Sequence, residues 1–299
     1  MNKRHLTAAL VLGSVAALAL AGCASGNQAE GGSGGGDSKG TITLGFLPSW
    51  TDGLSTAYLL EDQLGKLGYD VEMQTLTEAG PLYAGLAQGD VDIYPSAWPE
   101  LTHADYMKKY GDNIEDLGAY YDDAKLTIAV PSYVDIDSID QLQANAARFD
   151  GKIYGIEPGA GLTKQTQEVA MPGYGLDGLE LVTSSTAAML TELDNAIAAQ
   201  KDIAVTLWRP FWANDAYDVK DLKDPQGLMG DPEKLHFLGT AGFAEKYPDA
   251  AELIAGIQLD DAQYGSLEDL VVNEYGEGKE PEAVQAWLEQ NPAAFSTQR

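Results

Sequence analysis

A chain of 299 residues with 46 acidic against 18 basic side chains carries a formal charge of −28, which speaks against nucleic acid as a partner, since phosphate binding needs basic surface. Its single cysteine rules out a disulfide within the chain. The acidity itself reads most simply as a solvated surface.

The first elements concern address, not fold. Lys3 and Arg4 precede an apolar run over 6–21 that closes on Gly22 and Cys23, the pattern of a secretory signal. The run is shorter than the roughly 20 residues a membrane-spanning helix needs, and no later stretch competes with it. The sequence Leu20-Ala21-Gly22-Cys23 resembles the bacterial lipobox. That resemblance implies a lipoprotein leader over 1–22 and a lipidated Cys23; the plainer alternative is an ordinary signal with an incidental cysteine. Residues 24–40 are rich in Gly and Ser and poor in apolar side chains, so 23–40 reads as an anchor and flexible tether with a reach on the order of 20 Å.

From Thr41 the apolar pattern alternates between two periods. A buried strand over 42–47, an amphipathic helix over 54–67 ending at Gly68 and a strand over 70–76 form a βαβ unit. A short helix over 81–87, a strand over 91–95, a helix around 101–110 and a strand over 126–130 follow, punctuated by Pro131. After a stretch of helical character over 138–149, a second series opens. It has a strand over 152–156, a Gly-rich turn, a helix near 163–169, a strand over 179–183, a helix over 187–199 and a strand over 203–207. Beyond about Leu235 the pattern is mainly helical, clearest over 267–274 and 281–290. The expected architecture is α/β, with one lobe over 41–131 and a second over 132–235. Residues 236–299 form a helical part returning to the first lobe, and the ligand cleft lies between the lobes.

Catalysis has little to work with. Apart from His5 in the leader, the histidines are His103 and His236, and no Gly-x-Ser-x-Gly elbow, Walker loop, His-Glu-x-x-His pair or dinucleotide fingerprint occurs. The pairs Asp122-Asp123 and Asp260-Asp261 read as solvated turns or helix starts, not as metal ligands. No catalytic residue, metal or cofactor is therefore expected.

The tryptophans are more informative. Trp50, Trp98 and Trp208 each fall just after a predicted strand, where open α/β sheets bind ligands. Any one of them alone is as readily a half-buried packing residue; their shared placement favours a site. Indole faces suit a trimethylammonium group, which offers no conventional hydrogen bond, and each is worth roughly 0.5 to 2 kcal/mol. The turn over 155–162 leads from strand to helix and offers backbone N–H groups to an anion. His103 could add a side-chain donor, although taken alone it reads as a surface helix residue.

Four segments then carry a family resemblance: Ser96-Ala97-Trp98-Pro99-Glu100-Leu101-Thr102-His103, Gly155-Ile156-Glu157-Pro158-Gly159-Ala160-Gly161-Leu162, Ser184-Ser185-Thr186-Ala187-Ala188-Met189-Leu190 and Thr206-Leu207-Trp208-Arg209-Pro210-Phe211-Trp212. With Glu78-Ala79-Gly80-Pro81, they resemble the glycine betaine/proline betaine-binding proteins of osmoprotectant ABC importers, over most of the folded chain. The resemblance implies a type II periplasmic-binding-protein fold that closes by a hinge. It implies a cation cage of Trp50, Trp98 and Trp208, and carboxylate donors at Gly161, Leu162 and His103. Trp212 would support the cage, and Trp287, with no counterpart, reads as packing. It further implies a monomer, lipid-anchored on the extracytoplasmic face, that delivers a small zwitterionic ligand to an ABC permease driven by a separate ATPase. Arg209 and the Leu47-Pro48-Ser49 approach depart from the family pattern, which leaves betaine, proline betaine, carnitine and choline open as ligands. The alternatives are the same fold binding choline or an amino acid, a cell-surface hydrolase, and a ligand-sensing lipoprotein docked on a receptor.

Overall fold

The computed structural model describes residues 38–292; the leader, Cys23 and most of the tether lie outside the described residues. The chain opens with strand β1 (Thr41–Phe46), helix α1 (Thr51–Leu67) and strand β2 (Asp70–Thr75), with β1 and β2 parallel and in continuous register. Helix α1 stops because Gly68 adopts φ 97° and turns its N–H back onto Gly65 and Leu64, a conformation that costs a residue with a Cβ. Helix α2 (Ala79–Gln88) then leads into β3 (Ile93–Ala97), parallel to β1 on its other side.

Helix α3 (Ala104–Tyr110) precedes β4 (Ile114–Pro131), an 18-residue strand. Strands β5 (Lys152–Tyr154), β6 (Glu180–Val182), β7 (Val205–Arg209), β8 (Val219–Asp221) and β9 (Glu233–Thr240) complete the order β2-β1-β3-β9-β4-β7-β5-β6, with β8 also on β4. Strand β4 changes partner part-way along its length. Its first part runs antiparallel to β9, from Ile114 opposite Thr240 to Ala124 opposite Glu233, and its second runs antiparallel to β7, from Lys125 opposite Arg209 to Ala129 opposite Val205. One strand group (β2, β1, β3, β9) and another (β7, β5, β6) thus share a single backbone ribbon.

Two features depart from the sequence reading. The strand expected over 126–130 begins at Ile114, because register shifts near Asp116–Gly118 and Tyr121–Ala124 break the alternation that periodicity detects. Strand β9 lies where helix was expected, with Leu235, Phe237 and Leu238 buried between β3 and β4. The stretch of helical character expected over 138–149 is present as the short 3₁₀ helices Ile139–Gln141 and Gln143–Phe149.

The C-terminal helices Pro248–Ala255, Asp261–Asp269 and Glu280–Gln290 pack on α1, and the first of them also packs on β4. Asp260 starts the middle one as a capping box, accepting from the Gln263 N–H at 2.8 Å while the Gln263 side chain accepts from the Asp260 N–H at 3.0 Å. Trp287 is fully buried and donates to Gln263 O at 2.9 Å and Ser266 Oγ at 3.0 Å, so it is a packing residue. Among the described residues, no helix is long and apolar enough to cross a membrane.

Candidate ligand-binding site

Each indole is positioned by the end of a strand. After β1 the chain turns through Leu47-Pro48-Ser49, and the Trp50 N–H closes the turn on Leu47 O at 3.0 Å, directly before α1. Trp98 follows the last residue of β3. Trp208 is placed differently from the sequence expectation: it lies within β7, opposite Leu126 of β4, because the antiparallel ladder runs on to Arg209.

All three indoles are nearly buried and line one cavity. His103, Gly161 and Leu162 line the same cavity, together with Asp52, Thr102, Leu126, Ile156 and Ala160. The six positions singled out in the sequence are therefore brought together in space.

His103 is 2 % exposed and heads α3, so it is no surface residue. Its ring stacks on Trp50 with centroids 6.0 Å apart, and Tyr83 meets it edge-on at 5.3 Å. Burial pushes its pKa down to about 3, so the imidazole is neutral at any ordinary pH. Nδ1 accepts the Trp98 backbone N–H at 3.2 Å, which places the ring proton on Nε2 as a donor.

Gly161 and Leu162 open helix α4 (Gly161–Lys164), which continues without a break to Gly173. Their N–H groups belong to the first turn, which has no intrahelical acceptor. Gly161 also has a steric requirement. A Cβ there would stand 2.6 Å from Thr102 Cγ2, 2.7 Å from the Thr102 carbonyl carbon and closer still to its oxygen.

Two buried carboxylates support the indoles, and the sequence reading identified neither. Glu157 accepts the Trp50 Nε1–H at 3.0 Å, and Asp52 accepts the Trp98 Nε1–H at 3.1 Å and the Ser96 hydroxyl at 2.7 Å. Burial raises the Asp52 pKa, and these bonds oppose the rise. The only local signal for Asp52 was its place two residues after Trp50 in the first turn of α1. Phe211, also unremarked, stacks on Trp208 with centroids 3.9 Å apart, and Trp212 meets Phe211 at 5.7 Å. Trp212 therefore backs the site without lining the cavity. Arg209 turns to Asp221 in a two-point bond, Nε to Oδ2 at 2.6 Å and one terminal nitrogen to Oδ1 at 3.2 Å, and it does not line the cavity.

Behind Trp50, the Thr51 hydroxyl donates to Glu268 at 2.6 Å. Burial, aided by nearby Asp52, pushes the Glu268 carboxyl from 4.5 up to about 8. The fold thus keeps a proton that the unfolded chain gives up above pH 4.5. The associated stability is complete below that pH and is lost as pH rises through about 8. Glu268→Gln, neutral throughout, is expected to gain stability over the parent at pH 8 relative to pH 5, on the order of a few kcal/mol. Denaturant unfolding at the two pH values measures it; an equal difference at both would mean that Glu268 ionises freely in the fold.

A family model for the substrate-binding domain of ABC-type glycine betaine transport systems matches residues 40–290. The chain belongs to this family. It is a family of transport substrate-binding domains, not of enzymes, and such proteins work outside the cytoplasm. Over 145 residues the chain is 36 % identical to the glycine betaine/carnitine transport binding protein GbuC of Listeria monocytogenes. That match takes in 47 % of this chain and 46 % of the relative, so the chain spans about half of the relative's length. Among solved structures, the glycine betaine/L-proline-binding protein of Borrelia burgdorferi superposes with a TM-score of 0.78 at 32 % identity, over 85 % of this chain and 95 % of that one. Lactococcal OpuAC, closed on glycine betaine, gives 0.77 at 28 % identity, over 86 % and 98 %. The α/β fold is that of the type II periplasmic-binding proteins.

Proposed function

We propose that the protein captures glycine betaine, or a closely related quaternary-ammonium osmolyte, for an ABC importer, anchored outside the cell membrane through a lipid on Cys23. The observation that carries the reading is the make-up of one cavity. Three indoles, a neutral His103 with its proton on Nε2, and the first N–H groups of α4 line the same small space. The indole faces of Trp50, Trp98 and Trp208 take the trimethylammonium group. The N–H groups of Gly161 and Leu162, with His103 Nε2, take the carboxylate. Residues 41–131 and 132–235 act as the two lobes, with 236–299 completing the first, and contact of the ligand with both draws the cleft shut. The closed form, a monomer, delivers its ligand to the permease, and a separate ATPase supplies the energy.

Titration calorimetry of the mature soluble chain against glycine betaine, proline betaine, carnitine, choline and proline tests this. A betaine is expected to bind in the micromolar range, about −8 kcal/mol, and more tightly than choline, which offers His103 and the α4 N–H groups one neutral hydroxyl in place of a carboxylate. A folded protein that binds no quaternary amine would sink the reading.

A further inference from the structure

Two of the three cavity indoles end on buried carboxylates. Trp50 donates to Glu157, which is 5 % exposed, and Trp98 to Asp52, which is 3 % exposed. Trp208 Nε1 is buried with no hydrogen-bond partner among the described residues, so burying an indole in this cavity does not by itself require an anionic acceptor. Among the described residues, no Lys, Arg or His makes an ion pair with either carboxylate. Two acids withdrawn from water without a counter-ion are costly to keep.

Glu157 shows how the site holds such a group. Oε1 accepts the Ser49 hydroxyl at 3.1 Å and the Thr186 N–H at 3.0 Å, while Oε2 accepts Trp50 Nε1 at 3.0 Å and the Thr186 hydroxyl at 2.9 Å. The missing partner is a positive charge, and the indole wall between carboxylate and cavity is where one would be felt. An N–H bonded to an anion carries electron density into its ring, and a more negative face holds a cation more strongly.

We propose that Glu157 and Asp52 are specificity-determining residues: their charges, held against the N–H edges of Trp50 and Trp98, make the cavity select a cationic head group over an uncharged one of the same shape. The proposal rests on the quaternary-ammonium reading of the cavity. It deepens that reading by assigning the discrimination to side chains behind the cage walls.

The test compares two ligands that differ in one atom. Glycine betaine and 3,3-dimethylbutanoate share shape and carboxylate, with carbon replacing nitrogen in the second, so repulsion of the common carboxylate cancels in the ratio of their affinities. Calorimetry on the parent, Glu157→Gln, Asp52→Asn and Thr186→Val chains, each checked for folding by circular dichroism, gives that ratio. The parent is expected to prefer betaine. Glu157→Gln and Asp52→Asn are each expected to shrink the preference roughly tenfold, which is about 1.4 kcal/mol. Thr186→Val, which removes a donor and keeps the charge, is expected to weaken both ligands alike. The two acid variants probe the same effect independently, so either one that folds is decisive. A ratio unchanged in the acid variants, or a parent that binds both ligands equally, overturns the proposal and leaves the acids as holders of ring position. A parent that binds no quaternary amine is a separate outcome, which overturns the ligand reading itself.

Discussion

Gly161→Ala is expected to lower betaine affinity by at least about a hundredfold, or 2.7 kcal/mol, with little change in the thermal unfolding of the unliganded protein. The added methyl would press on Thr102 at 2.6 to 2.7 Å, well inside van der Waals contact. Thr102 cannot easily yield, since Glu233 accepts both its N–H and that of Leu101 at 3.0 Å. Thr102 follows β3 and Gly161 follows β5, so the two residues come from different strand groups. Parting those groups, as the proposed hinge motion would in the unliganded chain, relieves the overlap. Binding does not allow this, because the cavity is complete only when the two segments meet. Calorimetry beside a thermal scan measures both effects; full affinity in the variant would mean that the two segments need not touch in the bound state.

The second large effect is expected at Trp98. Trp98→Ala removes one indole face, worth roughly 0.5 to 2 kcal/mol, leaves a void in the cavity wall and strips Asp52 of one of its donors. Together these predict a loss of at least about 2 kcal/mol, some thirtyfold in affinity. Trp98→Phe restores an aromatic face without the N–H and is expected to fall between the two. Betaine binding by Trp98→Ala at parental strength would show that the cation sits elsewhere.

The site was legible where its chemistry is local. Trp50 and Trp98 stand at strand ends that periodicity locates, and Gly161 sits in a turn whose composition announces close backbone approach. What escaped depends on distant partners. Glu157 meets Trp50 across 107 positions of sequence, so nothing near either residue reveals the pair. His103 looks like a polar residue on a short helix; Tyr83, Tyr94 and Tyr106 enclose it, and only the fold brings them there. In the sheet, Asp116, Gly118, Asp122 and Asp123 hide the first part of β4, because charge and register shifts erase the alternation that marked 126–130.

The shared strand β4 also bears on how the molecule comes apart. Neither strand group owns a complete sheet: stripping β9 from β4 frees the edge that orders the Lys125–Ala129 ladder with β7, and losing β7 unsupports the same ribbon from the other end. Chains built from separable halves melt in stages. Here a common beam runs through both, so partial collapse on one side removes the footing of the other, and denaturation should pass through a single cooperative transition with no half-folded species left exposed.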